Sequence, residues 1–491
     1  MKRFVVNIEA ILLLVLLLLD MSYTYVADAS RAPMEKREKE ALYSAIQGFV
    51  GRWWNGSELY PDPCGWTPIQ GVSCDFIDGF WYVTDLIIGT VRDNSFPCTR
   101  NVEFRHHLFE LKHLKTLSFF NCFVSPAQRA ISIPTQNWEK LAGSLESLEF
   151  RSNLGLIGQI PTIFSSLTKL QSLVLLENGL TGELPMGLGN LVGLRRLVVA
   201  RNRFSGRIPA SLGRLAQLLI FDLSRNSLSG SLPLTFGGLT SLLKLDLSNN
   251  LLEGKLPNEL KNLKNLTLLD LRNNRFSGGL TQSLQEMVSL EEMVLSNNPI
   301  GGDLMSFEWE KMQSLIVLDL SNMGLTGEIP DTMAELKRLR FLGLNDNDLS
   351  SHVPPKLSAM PCLNTLNLYR NDLTGELQFS EWFYGKMGRR FAAWSNPNLC
   401  YPVKLMSTGR VPFGVKPCHQ EAAISEADFK TKLGDENLNK DSHLVASLGF
   451  SSGANCGFWW GFIVKEIVIV FLLFDTFLWN YLGLIASLEF S

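Results

Sequence analysis

Leu242-Leu243-Lys244-Leu245-Asp246-Leu247-Ser248-Asn249-Asn250-Leu251-Leu252-Glu253-Gly254-Lys255-Leu256-Pro257 is one copy of a unit that fills the middle of this chain. Its first leucine recurs at Leu145, Leu170, Leu194, Leu218, Leu242, Leu266, Leu290, Leu315, Leu339 and Leu363, in steps of 24 or 25 residues. Self-similarity at a fixed period marks stacked units, each too small to bury its own apolar face, that share one continuous core. Length alone would suggest about three domains. The repeat replaces that with one elongated body.

The LxxLxL half of each unit reads as a short strand, leucines facing in and the residues between them facing out. Adjacent strands pair side by side about 4.8 Å apart, so ten units give a parallel sheet about 45–50 Å wide. The asparagine that follows (Asn153, Asn178, Asn202, Asn226, Asn250, Asn274, Asn298, Asn347, Asn371) turns inward to bond loop backbone that no strand satisfies. Met323 interrupts this ladder, which predicts a local irregularity or a compensating group there. The second half carries Leu-x-Gly-x-Leu/Ile-Pro, as in Leu180-Thr-Gly182-Glu-Leu184-Pro185 and Leu325-Thr-Gly327-Glu-Ile329-Pro330. Glycine admits backbone angles closed to other residues, and proline fixes φ at the edge of a turn. The expected fold is an α/β repeat, a leucine-rich repeat solenoid with cysteine-bearing caps. Two irregular copies, at Val83 and Leu114, precede the regular array at 31-residue steps, and their additional residues belong in loops.

The expected organisation is a signal peptide at 1–29, an N-terminal cap at 30–82, repeats at 83–390, a C-terminal cap at 391–418, a linker at 419–455 and a hydrophobic segment at 456–491. The signal rests on Lys2 and Arg3, the apolar run Ile11 to Leu19 and the small-residue site Ala27-Asp28-Ala29. In the first cap Ala41, Leu42, Ala45, Ile46, Phe49 and Val50 recur at helical spacing, and Trp53 and Trp54 read as packing over the open end of the solenoid. The C-terminal segment is long enough to span a membrane but carries Lys465, Glu466 and Asp475. The small residues Ser451 to Ala454 before it suit a lipid-anchor signal instead. Only three residues follow Leu488, which leaves no room for a cytoplasmic kinase.

Eight cysteines suit an oxidising compartment. Cys64 with Cys74 and Cys400 with Cys418 each close a short loop, and Cys98 with Cys122 makes a third pair, although spacing alone admits other connectivities. Cys362, inside a repeat, reads as a buried free thiol. Asn55-Gly-Ser57 and Asn265-Leu-Thr267 are glycosylation sequons. No Cys/His spacing suggests a metal, and no cofactor is expected. No nucleophile elbow or phosphate loop appears, so an enzyme is not expected. A net charge of −3 gives no reason to expect nucleic acid as a partner.

The outward positions of the strands are the natural contact surface. Arg201, Arg225 and Arg272 can grip carboxylates in a bidentate way, and Phe341, Tyr369 and Arg370 have the composition of interface anchors. The aligned Asp222, Asp246, Asp270 and Asp319 read as charges that solvate a face. His106 and His107 read as solvated surface.

The Leu-x-Gly-x-Ile-Pro variant is distinctive, and with it the chain resembles the ectodomains of plant receptor-like proteins and receptor kinases. Arg52-Trp53-Trp54-Asn55-Gly56-Ser57, Asp62-Pro63-Cys64-Gly65-Trp66 and Gly71-Val72-Ser73-Cys74-Asp75 resemble the family's N-terminal cap, with a longer spacing between the cysteines. Ser395-Asn396-Pro397-Asn398-Leu399-Cys400 is similar to its C-terminal cap. The resemblance covers about residues 35–420. It implies an extracellular binding protein for a peptide, a cell-wall fragment or another ectodomain, signalling through a receptor-kinase partner in response to a root-colonising fungus, or in development or defence. Polygalacturonase inhibitors share the array and are the alternative, but they stop soon after the terminal cap, whereas about 70 residues follow Cys418 here.

Overall fold

A computed structural model describes residues 32–90, 97–99, 101–123 and 130–418. The signal segment, the linker and the hydrophobic C-terminal segment lie outside the described residues. No helix among the described residues is long and apolar enough to cross a membrane.

The chain begins with helix Lys36–Val50, whose apolar stripe (Leu42, Ala45, Phe49) is fully buried. The strands Val72–Ile77 and Phe80–Gly89 form an antiparallel hairpin. The second strand of that hairpin then opens a parallel sheet, pairing in register with Thr116–Phe120, which pairs with Ser147–Gly158. One strand per repeat follows, including Arg196–Val198, Ile220–Asp222, Lys244–Asp246, Leu268–Asp270 and Glu292–Val294. The register is constant: Lys244 faces Leu268, Leu245 faces Leu269 and Asp246 faces Asp270. The 31-residue steps leave strand register intact, since Thr116 pairs both with Asp85 and with Ser147.

Each repeat closes through a second short strand and a 3-10 turn. Gly182, Gly206, Gly230 and Gly254 take φ of +77° to +87° at the bend, which only glycine adopts without strain. The proline three residues on (Pro185, Pro209, Pro233, Pro257; φ −63° to −69°) starts a 3-10 helix such as Met186–Asn190. The core is one continuous apolar column through all repeats, with Leu145, Leu218, Leu245 and Leu366 fully buried.

The asparagine ladder binds the turns together. Asn250 Nδ2 donates to the carbonyls of Leu223 and Leu247 at 3.0 Å, and its Oδ1 accepts from Leu228 N–H at 3.1 Å. Asn396, in the C-terminal cap, makes the same set of bonds to Leu368, Ala393 and Leu373. The strand Phe391–Ala392 likewise extends the sheet into that cap. At the break, Met323 is buried and Ile300 N–H turns back to the carbonyl of Asn298 at 2.8 Å. Gly301, Gly302 and Gly324 with positive φ surround it. The irregularity is present and compensated.

Disulfides join Cys64 to Cys74, Cys98 to Cys122 and Cys400 to Cys418. Two expectations fail. Cys362 is neither buried nor a free thiol: it is half-buried and disulfide-bonded. Trp53 does not join the core. It is 66% exposed, while Trp54 alone of the pair is sealed in, edge-on to Tyr43 and stacked on Tyr60. Adjacent residues at the end of a helical cap point in different directions, so one tryptophan suffices to cover the open end.

Candidate ligand-binding face

The outward side of the parallel sheet presents up to four residues per repeat, and constant register aligns them in columns. One column just precedes the asparagine ladder. There the chain must turn to bury the asparagine, and the residue takes a left-handed conformation. Asn249, Asn273, Asn297, Asn322 and Asp346 occupy it at φ +51° to +58°. These residue types tolerate such angles. Arg201, Arg225 and Arg370 occupy it too, at φ +54° to +55°, although arginine has no such preference.

The candidate residues differ in their engagement. Arg201 and Arg225 stand exposed on neighbouring repeats. Arg201 reaches Glu177 at 3.8 Å in an open pair, a geometry that contributes little. The Arg225 side chain has neither hydrogen bond nor ion pair among the described residues. Arg272, two repeats on, is held by Asp270 at 3.2 Å. Phe341 lies flat across its strand over Gly343, where a Cβ would come within 3.0 Å of its ring. Tyr369 and Arg370 are brought together with a residue that the repeat pattern does not single out, Trp394. The Tyr369 and Trp394 rings stack 4.3 Å apart at 4°. Arg370 sits 5.3 Å over Trp394 and bonds Asp346 at 3.1 Å.

The aspartate column is not merely solvated. Asp222, Asp246 and Asp319 each accept, through Oδ1, the backbone N–H and the hydroxyl of the serine two residues on, at 3.1 and 2.7 Å. They cap strand ends. Asp270 is buried, and that burial, with Asp246 beside it, pushes its carboxyl up to about 7 despite Arg272. Lys244 lies between Asp222 and Asp246 at 3.7 and 3.8 Å.

Nearer the N-terminal end, Val174, Val198 and Ala200 form an apolar cluster separate from the core, with Leu176 and Ile220 packed against it. Val174 and Val198 point outward as the alternation predicts, yet they are covered by neighbouring side chains. Away from the face, His107 bonds Ser44 at 2.9 Å and His106 approaches Glu110 at 3.9 Å. Asn55 and Asn265 are exposed. Among the described residues no group of three His, Cys, Asp or Glu could hold a metal ion.

Leucine rich repeat family models match residues 192–252, 265–287 and 314–336. Piriformospora indica-insensitive protein 2 of Arabidopsis thaliana is 64% identical over 405 residues, covering 81% of this chain and 95% of the relative. The chain belongs to the plant leucine-rich repeat receptor-like proteins. Among solved structures, that of PEPR1-AtPEP1 matches this receptor-like protein with a TM-score of 0.60 and 25% identity, over 76% of this chain and 54% of that one. The plant peptide hormone receptor RGFR1, in complex with RGF2, matches with a TM-score of 0.53 and 27% identity, over 60% and 46%. The receptor-like chain thus spans about half the length of these two solved chains.

Proposed function

We propose that this protein acts outside the cell as a ligand-binding receptor-like protein. Its sheet face takes an extended ligand, a peptide before a cell-wall fragment, with Arg201 and Arg225 on acidic groups and the Tyr369–Trp394–Arg370 platform as a second anchor. The signal passes to a receptor-kinase partner at the outer face of the plasma membrane, with glycans at Asn55 and Asn265. The observation that carries this reading is the placement of arginines at left-handed positions of the face, one of them, Arg225, unengaged. A charged residue held against its local preference on an exposed surface is a candidate for function rather than folding. The complex of the plant peptide hormone receptor RGFR1 with RGF2 supports a peptide as ligand, and the name of the Arabidopsis relative supports a setting in the response to a colonising fungus.

The test is affinity capture of the tagged protein from plant membranes, followed by phospholipase treatment. Recovery of a receptor kinase and an acidic peptide with the wild type, lost in Arg201→Ala/Arg225→Ala, supports the reading; recovery unchanged in the double variant contradicts it. Phospholipase release marks a lipid anchor, and retention a spanning helix.

A further inference from the structure

The step from Leu114 to Leu145 is 31 residues, where the regular repeats take 24 or 25. Part of that surplus, Pro134 to Asn137, stands beside the 3-10 helix His106–Glu110 and closes a cleft of about 280 Å³ on the turn side of the solenoid. Phe104, Phe109 and Pro134 are its apolar lining. These groups are held in place. Phe104 is edge-on to Phe49 at 5.2 Å and stacked on Phe123 at 5.7 Å. Phe109 meets Trp138 edge-on at 5.1 Å, and Trp138 Nε1 donates to the Pro134 carbonyl at 2.8 Å. The remaining lining is His106, Thr135, Gln136 and Asn137, with no carboxylate, ammonium or guanidinium among them. The side chains of Thr135, Gln136 and Asn137 make no hydrogen bond among the described residues.

A fixed apolar floor ringed by neutral polar groups suits a ligand with apolar faces and hydroxyl edges. Amides and hydroxyls between them offer both donors and acceptors, and each sugar hydroxyl does the same. The slightly positive C–H groups on the face of a pyranose ring suit the negative face of an aromatic ring. An apolar peptide side chain would cover the floor but leave the polar rim unpaired. A uronic acid would meet no cation. The volume lies near the lower bound of about 300 Å³ for ligand sites, which is room for one ring. We propose that this cleft is a subsite for one neutral hexose ring of an oligosaccharide, its C–H face on Phe104 and Phe109 and its hydroxyls on Thr135, Gln136 and Asn137. It is separate from the sheet face and independent of the arginines there.

The probes are tetrasaccharides of glucose, mannose and galactose, with tetragalacturonate as the charged counterpart and acetyl-Phe-amide as the peptide one. Each is titrated into the secreted full chain and followed by saturation-transfer NMR. At least one neutral tetrasaccharide binds with a Kd of about 1 mM or tighter and about tenfold more tightly than tetragalacturonate, with saturation strongest on the C–H hydrogens of one ring. Gln136→Ala/Asn137→Gly weakens that binding about tenfold, the loss of one or two hydrogen bonds. The variant folds, because Gln136 is exposed and glycine accepts the φ of +72° at Asn137. Gln313→Ala, exposed beyond another 3-10 turn, leaves binding intact. No binding of any neutral tetrasaccharide, equal binding of tetragalacturonate, tighter binding of acetyl-Phe-amide, or an affinity unmoved in Gln136→Ala/Asn137→Gly overturns the subsite. Arg201→Ala/Arg225→Ala leaves sugar binding at its wild-type strength, so this idea and the reading of the sheet face fail separately.

Discussion

Asn347 Oδ1 accepts the backbone N–H of Met323 at 2.9 Å and also that of Leu325 at 3.1 Å. One asparagine thus spans the gap where the preceding repeat lacks its own. Asn347 Nδ2 meanwhile donates to Leu320 and Leu344 carbonyls at 2.9 and 3.0 Å. Asn371, the next in the ladder, accepts from Leu349 alone. Each buried N–H left without an acceptor costs about 1–3 kcal/mol. Asn347→Ala therefore destabilises by about 1–2 kcal/mol more than Asn371→Ala, read from urea unfolding of the two variants. Equal midpoints would show that the turn at Met323 relaxes without help.

Arg201→Ala and Arg225→Ala, made singly, each weaken partner capture about ten- to a hundredfold, the scale of one charge-assisted hydrogen bond. Secretion and melting stay near wild type, because neither side chain supports the core. Arg272→Ala has the smaller effect on capture, since Asp270 already holds that side chain. A titration on plant-cell surfaces ranks the three.

The Tyr369–Trp394 stack predicts coupling. In a double-mutant cycle with alanine, the two residues interact by about 0.5–1.5 kcal/mol in stability, the range for aromatic pairs. Partner capture falls in Trp394→Ala as far as in Tyr369→Ala. Additive changes in both readouts would mean that the rings merely sit side by side.

Glu38 is 3% exposed in the capping helix, and its carboxylate accepts Val83 N–H at 3.3 Å. Burial first, opposed by that bond, raises its pKa from 4.5 to about 7. A carboxyl raised on folding holds its proton more tightly in the native state. Its stabilising contribution is therefore full below about pH 4.5 and is lost as pH rises through 7. That rise corresponds to a change on the order of 3 kcal/mol across the window. Glu38→Gln keeps an acceptor for Val83 but cannot ionise. Its melting temperature changes less than wild type's between pH 4.5 and 7.5, and a wild-type melting curve already flat over that range would refute the assignment.

Most of the fold was legible in the chain because the period writes the same physics ten times. Inward leucines, bend glycines and ladder asparagines each answer one local requirement, and repetition removes the ambiguity that a single short strand carries. The Asn ladder even flagged its own fault at Met323. The features that escaped depend on neighbours from different repeats. Trp394 lies past the last LxxLxL unit, so only the sheet's continuation through Phe391–Ala392 brings it against Tyr369. Val174 and Val198 obey alternation and point outward, but side chains from adjacent strands cover them. Arg272 looked as available as Arg225 until the Asp270 contact appeared. Trp53 and Cys362 were misread because a residue's type gives its usual burial, while orientation at a cap or turn decides the actual one.

The central claim, that ligand meets the outward side of the parallel sheet, is tested most directly by placing a glycan there. Leu251→Thr creates a sequon at Asn249, on the face, and Val192→Thr creates one at Asn190, on a 3-10 turn of the opposite side. With both glycans confirmed by mass spectrometry, the account predicts that the tagged protein carrying a glycan at Asn249 no longer binds plant-cell surfaces, while the one at Asn190 binds as wild type does. Undiminished binding with Asn249 glycosylated, or loss only with Asn190 glycosylated, would contradict it.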